Sequence, residues 1–506
     1  MHKDSAQADH LLRFRRQFLV TPRSAALPGW SHRVIGAHNV YAHPGLALTV
    51  HEGAARTLVL LGFAIDPDHP ERDDAAVLAG IAEDWESGAE QDTLDRLSGR
   101  FALFVFSGDD IVVHTDATGT RTVEYMWTGD EFHAASQSYL LAQVEPLTDG
   151  GRADQFWGSP YGRSDREAFL PGDTTLFAGV ERLLPNHRLN VNARRQERVW
   201  PCGPVPATTR AEAVSRAAAQ LSASIAGAAL RFPLSLPLTA GYDSRTVLAA
   251  TPPELRRRLH VYTLLYRHLS ARSADVAIPS RLARRLGLAH HLVDCRRVPN
   301  AAWREVYTAN SPLAHYDDWG IIAKGILDGH PADAVALKGN ASEVARNYYW
   351  KGGERPPTAT AAQVLALQPG WAEIPFVAAA VERWFDAAAP VAEQSGIGLD
   401  VLFYWEHRCG SWQAQSQLEW DIAQEVFTPF SNRRLLGTLL GVPADDIGPE
   451  GTVLLRELMA ATEPGLLEVP FNPRTLRYRA LDVLQRGSGR LRREARRLLR
   501  QPWPRR

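Results

Sequence analysis

The sequence predicts two units in series: a β-rich α+β sandwich-like domain, then an α/β nucleotide-binding domain with a parallel sheet and a helical C-terminal region. Three observations carry this expectation. From about Thr57 to Tyr139 the segments TLVLLGF, RFALFVF, DIVVHTD and VEYMW read as strands, mostly bounded by Gly, Asp or Ser turn signals. Beyond a proline-rich joint at 200–206, WPCGPVP, strand and helix patterns alternate, as in a doubly wound parallel sheet. At 506 residues the chain also exceeds what one ordinary core needs.

In the first unit, AVLAGIAEDWE from Ala76 to Glu86 has helical spacing and interrupts the strands, which makes the domain α+β. A further β-like tract, TTLFAGVERLLPNHRLNVN, leads to the joint. The boundaries that follow are 1–200, a linker at 201–206, a second domain at 207–480 and a basic tail at 481–506. In the second unit, the alanine-rich AEAVSRAAAQLSASIAGAAL predicts a long helix and Leu234 to Leu238 a short strand entering a turn. RLHVYTLLY, SADVAIPSRLARRLGL and AHHLVDC then read as strand, helix and strand; WGIIAKGIL reads as a helix and ADAVALKG as another strand. From Ala361 onward the pattern is mostly helical, and from Arg486 it is arginine-rich with Glu494 as the sole acid.

Composition narrows the function classes. Lys plus Arg is 56 against 57 for Asp plus Glu, a net charge of −1, so no global field draws in a nucleic acid. The three cysteines, Cys202, Cys295 and Cys409, form no Cys-x-x-Cys pair, which excludes a disulfide framework and a cysteine-type zinc site. No apolar run reaches the ~20 residues of a membrane helix, and the N-terminus lacks a signal-peptide pattern. The expectation is a cytoplasmic protein without a membrane span or a nucleic-acid partner.

The segment richest in chemistry is Leu234 to Leu248, LSLPLTAGYDSRTVL. A strand runs into a small-residue turn and then a helix, which gathers free backbone N–H groups and the positive end of the helix dipole at one spot suited to pyrophosphate. Thr239 and Ser244 add hydroxyls, Gly241 permits close approach, and Asp243 can hold a magnesium ion. An ordinary strand-to-helix turn would show the same residues.

Thr239-Ala-Gly-Tyr-Asp-Ser244 resembles the pyrophosphate loop Ser-Gly-Gly-x-Asp-Ser of the asparagine synthetase family, which includes β-lactam synthetases and lasso-peptide cyclases. HVYTL at 260–264 is similar to that family's second strand, and Asp275 to His291 to its next helix and paired histidines. ALKGNASEVARNYY at 336–349 resembles its Ser-Gly-x-Gly-Ser-Asp-Glu loop, with Glu343 at the final acid. QEVFTPFSNR at 424–433 resembles its Glu-Ala-Arg-Val-Pro-Phe-Leu-Asp segment, with Glu425 at the pocket glutamate. In the first unit, LSGRFALFVF, DATGTR and LLPNHRL resemble the family's glutamine amidotransferase domain.

The resemblance implies ATP and Mg²⁺ as cofactors. It implies Leu238, Thr239, Gly241, Asp243, Ser244, Arg245, Leu264, Lys338 and Gly339 around the nucleotide, Asp243 and Glu343 on the metal, and Glu343, Glu425 and Arg346 in catalysis. It also implies a substrate, small molecule or peptide, with a carboxylate and an amine, handled beside partner proteins of a biosynthetic pathway. The expected reaction is carboxylate adenylation followed by amine attack, giving a lactam, a macrolactam or a conjugate; ammonia-dependent asparagine synthesis and a nonenzymatic binding scaffold are the alternatives.

Several positions depart from the family pattern. Position 2 is His2, where a glutaminase of this type needs cysteine, so the resemblance implies an inactive amidotransferase domain. Ala240 replaces a glycine, Ser342 an aspartate, Phe427 an arginine and Asn432 an aspartate, while Gly339 occupies the position of a proton-moving side chain. No lysine follows Lys351, which leaves Arg346, Arg433 and Arg474 as candidate transition-state cations. Elsewhere, His290 and His291 read as a strand-edge pair, Asp317 and Asp318 as a solvated turn, and Trp405, Trp412 and Trp420 as core or pocket wall.

Overall fold

The computed structural model describes residues 11–164, 167–267, 269–350, 353–448 and 451–472. His2, Arg474 and the basic tail lie outside the described residues. The first unit carries β1 (Phe18–Thr21), β2 (Ser31–Ile35), β3 (His38–Ala42), β4 (Leu48–Glu52), β5 (Thr57–Ile65), β6 (Ser98–Ser107), β7 (Asp110–Thr115), β8 (Glu124–Thr128), β9 (Glu131–Ala135), β10 (Glu181–Arg182), β11 (His187–Asn190) and β12 (Arg195–Arg198). These form two antiparallel sheets, ordered β10-β8-β9-β1-β3-β2 and β12-β11-β7-β6-β5-β4.

Alternation of side chains explains how the sheets stack. Val59 and Leu61 of β5 and Phe104 and Phe106 of β6 face the other sheet, meeting Phe18, Val40 and Phe132. Leu58, Leu60, Leu103 and Val105 point the opposite way and bury Val77, Leu78 and Ile81 of the helix Asp74–Ser87. That helix is capped by Asp73, whose side chain accepts from the Ala76 N–H, and ends on Gly88 at φ 77°.

The four strands before Thr57 did not announce themselves in the sequence. They are four or five residues long, and β2 is exposed at four of its five positions, so no apolar pattern marks it. The predicted tract before the joint shrinks to β10 and β11, with turns between them.

The second unit holds a five-stranded parallel sheet: β13 (Leu234–Pro237), β14 (His260–Leu265), β15 (His290–Asp294), β16 (Val335–Leu337) and β17 (Glu425–Phe427). Its order is β15-β14-β13-β16-β17, every pair parallel. The chain winds outward in one direction through β14 and β15, then returns to the other side of β13. The reversal lies between β13 and β16, and in such sheets the crevice outside the carboxyl ends of these two strands is where ligands bind. β17 escaped the sequence reading because it is three residues long inside a run that otherwise reads as helix.

The long helix Arg210–Arg231 buries Ala213, Leu221, Ile225 and Ala228 against this sheet. Gly227 lies so close to the first unit that a Cβ there would sit 2.8 Å from Ile65 Cγ2. Phe63 packs at a tilt against Phe232 and edge-on against Phe427, so the two units share apolar core. A continuous helical run then covers 399–420, and its middle, Tyr404–Gln413, is a ten-residue π-helix. Among the described residues no helix is long and apolar enough to cross a membrane.

Candidate functional site

Two loops meet in the crevice, 238–242 after β13 and 338–342 after β16. The first is held on the sheet by the Leu238 N–H, which donates to the Tyr262 carbonyl at 2.8 Å, and by the Thr263 hydroxyl, which donates to the Leu238 carbonyl at 2.7 Å. Leu238 is thereby buried. Within the loop, the Thr239 N–H donates to Ser244 Oγ at 3.1 Å, and the Thr239 and Ser244 hydroxyls lie 3.1 Å apart. The Gly241 N–H reaches Thr239 Oγ1 at 3.3 Å.

The helix Asp243–Ala250 starts here without any side chain capping it, so the positive end of its dipole faces the crevice. A Cβ on Gly241 would meet its nearest neighbour only at 3.5 Å, so nothing in the backbone demands glycine there. Ala240, by contrast, packs its methyl group into the core. Alanine thus fits where the resembled family carries glycine.

Gly339 is the tight point. A Cβ there would lie 2.4 Å from the carbonyl carbon of Asp243 and 2.7 Å from the Ser244 N–H nitrogen. Only glycine lets the second loop press against the start of the helix, and no proton-moving side chain fits. Ala341 follows in a left-handed conformation, φ 69°, and turns the chain into the short 3₁₀ helix Ser342–Ala345. That turn delivers three side chains to Asp243. Its Oδ1 accepts from the Ser342 hydroxyl at 2.6 Å and from an Arg346 N–H at 2.7 Å.

Glu343 stands beside this pair with Oε2 sequestered and without a hydrogen-bond partner. Burial and the neighbouring Asp243 charge push its carboxyl up to about 7, against the opposing pull of Arg346. Arg346 keeps its Nε buried and unpartnered. The Lys338 ammonium lies 4.6 Å from the Trp420 ring centroid with no acid paired to it among the described residues, and burial pulls it down to about 8. The Lys338 N–H is not offered to a ligand, since it donates to the Phe427 carbonyl at 2.8 Å. Leu264, half-buried on the adjacent strand β14, packs against the apolar cluster that holds Tyr262 and Trp319.

Two expected site residues belong elsewhere. Arg245 is fully buried and donates to the carbonyls of Leu466, Val469, Ala240 and Pro470, with Phe471 stacked 3.8 Å away, so its charge is spent on holding the 464–472 segment. Its guanidinium is therefore not free to meet a nucleotide. Glu425 opens β17, at the edge of the sheet opposite the crevice, and pairs with Arg100 and Arg121 of the first unit at 2.9 Å each. Burial alone would raise its carboxyl, but Arg121, Arg100 and Arg16 bring it to about 2. A carboxylate so firmly ionised, and facing the domain interface, is neither a base nor a pocket residue.

The remaining candidates also resolve into structural roles. Arg433 is buried against Asn186 and lies 3.6 Å from Asp95. His290 bonds Thr263 and Ser280, Asp318 pairs with Arg267, and Asp317 pairs with Arg304. Trp405 donates to the Ala117 carbonyl at 2.8 Å from a fully buried position. Ser342 and Arg408 carry no signal in the sequence: Ser342 reads only as a lost acid, and Arg408 lies outside every motif-like stretch.

No known protein family and no curated protein matches this chain. Among solved structures, it is similar to the allosteric regulatory enzyme of purine biosynthesis, at 10% identity over 59% of this chain and 65% of that one, with a TM-score of 0.25. It is also similar to glutamine phosphoribosylpyrophosphate amidotransferase from B. subtilis complexed with ADP and GMP, at 12% identity over 65% of this chain and 71% of that one, with a TM-score of 0.23. The chain thus spans just under two thirds of the first of these. Likeness at this level carries no functional argument.

Proposed function

We propose that the chain is an ATP-dependent amide-bond-forming enzyme that adenylates a carboxylate and passes the acyl group to an amine, without glutaminase activity. The observation behind this reading is the convergence, at the reversal point of the parallel sheet, of an uncapped helix start, a glycine-tight second loop, two acids and an unpaired lysine. The same reading takes residues 1–200 as an amidotransferase-like domain that has lost its nucleophile, and 207–480 as the synthetase unit.

In the reaction, a carboxylate oxygen bonds to the α-phosphorus of ATP while the bond to the bridging oxygen breaks, and pyrophosphate leaves with that electron pair. The amine then attacks the acyl carbon and AMP departs. Negative charge grows on the pyrophosphate oxygens, where the free N–H groups of the helix start face it. Asp243, Ser342 and Arg346 form a rigid set, so Arg346 is held in place and is not free to follow the phosphates.

Magnesium fits the donor set: Glu343 Oε2 is a buried oxygen without a partner, and Mg²⁺ commonly takes one or two carboxylates and completes its shell with phosphate and water oxygens. Asp243 and Glu343 would hold it, and it would supply charge neutralisation to the phosphates. Among the described residues no group of three acids, histidines or cysteines forms a self-sufficient metal site, so affinity for the ion alone is expected to be weak.

Calorimetry tests the reading. Wild-type protein is expected to bind ATP in a magnesium-dependent manner and Asp243→Asn to lose it while keeping its melting temperature; equal affinity in both would sink the assignment. Pyrophosphate release on adding a carboxylate and an amine separates an enzyme from a nucleotide-binding scaffold.

A further inference from the structure

The π-helix Tyr404–Gln413 lies against the segment that follows Glu343, with the Tyr404 and Tyr348 ring centroids 4.5 Å apart, and carries Arg408 at its middle. Helical stretches of this kind are rare and often occur at functional sites. The Arg408 guanidinium carbon is 4.4 Å from the ring centroid of Trp412, 5.3 Å from that of Tyr348 and 5.7 Å from that of Phe169. Among the described residues nothing accepts a hydrogen bond from it and no acid pairs with it. Its neighbours differ sharply: Arg346 is held by Asp243, Arg267 by Asp318 and Glu167, and Arg198 by Glu406. Ring faces can satisfy the plane of a guanidinium, but they leave its five N–H groups, which lie at the edge, without acceptors.

The place of Arg408 says what those N–H groups await. Its charge reaches Glu343 and lowers the proton affinity of that carboxyl, so the cage adjoins the acid. Tyr348, one wall of the cage, is 44% exposed, so the cage opens to solvent. A second wall comes from the first unit. Phe169 is anchored by its own carbonyl, which accepts from Trp371 Nε1 at 3.2 Å, and by its neighbours: the Gly172 N–H donates to His407 Nδ1 at 2.9 Å, and His315 Nε2 lies 2.7 Å from the Ala168 carbonyl.

We propose that Arg408 is the carboxylate-binding residue of the acyl subsite, and that this subsite takes a planar, conjugated carboxylic acid whose aryl or α,β-unsaturated body stacks among Phe169, Tyr348 and Trp412. The proposal rests on the adenylation reading, because it locates the carboxylate to be activated. A fork of parallel N–H donors matches both oxygens of a carboxylate, and flat rings favour a flat body over a saturated one. Aspartate suits the cage poorly: its second carboxylate would meet the electron-rich faces of aromatic rings, and its saturated body offers no flat surface to stack. As the acyl-phosphate bond forms, the carboxylate loses its negative charge, so Arg408 releases its grip when the acyl group must meet the amine.

Titration calorimetry on the full chain tests this without turnover, with trans-cinnamate, trans-cinnamamide and L-aspartate as probes. Cinnamate is expected to bind saturably, with the amide and aspartate weaker by about thirtyfold or more, since both lose the paired charge or the flat body. Arg408→Gln is expected to lose cinnamate to the same extent while keeping magnesium-ATP affinity, and Arg408→Lys, which keeps the charge without the fork, to fall between. Absence of cinnamate binding to wild-type protein, or equal binding by Arg408→Gln or of the amide, overturns the proposal. Cinnamate binding as expected, without pyrophosphate release in the presence of magnesium-ATP and an amine, would instead count against the adenylation reading alone.

Discussion

Glu343 is the residue on which most depends. Its carboxyl, ordinarily near 4.5, is pushed to about 7 by burial and by Asp243, so the folded chain holds this proton more tightly than the unfolded chain. Stability from that proton is fully present below pH 4.5 and is lost as pH rises through 7. Wild-type protein should therefore lose on the order of 1–3 kcal/mol between pH 5 and pH 8 that Glu343→Gln retains. Denaturant melts of both proteins at the two pH values check this, and parallel curves would show that Glu343 is not buried beside a charge. The same substitution should lower kcat by roughly a hundredfold, about 3 kcal/mol of barrier, with the effect read as amide product per unit time.

Among elements, the contact between the second loop and the helix Asp243–Ala250 governs the site. Gly339→Ala places a methyl group 2.4 Å from the Asp243 carbonyl carbon, so the loop or the helix must move. Magnesium-ATP affinity is expected to fall by about tenfold or more, with a lower melting temperature, as calorimetry and thermal denaturation would show. This scale also explains what the sequence disclosed. The turn LTAGYDS was legible because small residues between a strand and a helix constrain the backbone locally. The roles of Arg245 and Glu425 were not: each lies in a motif-like stretch, yet its partners are 221 and 325 positions away. Arg408 was hidden for the same reason, since its cage is assembled from Phe169, Tyr348 and Trp412 and has no local signature. β17 was invisible because three residues cannot display a period.

At the scale of the whole molecule, Arg100 and Arg121 of the first unit meet Asp421 and Glu425 of the second in a buried network. Arg100 forms two hydrogen bonds to Asp421, at 2.5 and 2.8 Å, with all four side chains largely withdrawn from water. Arg121 is presented by the Asp116 turn, whose carboxylate accepts from the N–H groups of Thr118, Thr120 and Arg121. Removing one partner strands a buried charge, so Arg100→Met should cost about 3–5 kcal/mol, whereas replacing the network as a set would cost far less. Equilibrium unfolding checks the figure; a change under ~1 kcal/mol would mean that water reaches the interface. With Phe63 packed on Phe427 across the same boundary, residues 207–506 expressed alone should aggregate, which a solubility and light-scattering assay would reveal.

The segment 464–472 closes over the first loop: Arg245 bonds its carbonyls, Phe471 stacks on Tyr242 at 4.2 Å, and the Asn472 N–H donates to the Ala240 carbonyl at 3.1 Å. The loop therefore takes its shape when the chain folds, and on the proposed reading a nucleotide would meet a mould already set. The entropy of ordering is settled before the encounter, so association should be fast and insensitive to temperature-driven loop motion. A cut between Glu463 and Phe471 should slow capture far more than it weakens the fold, which stopped-flow binding on the clipped protein would register. In this chain, the shape of the first loop is set by a segment 221 positions further along.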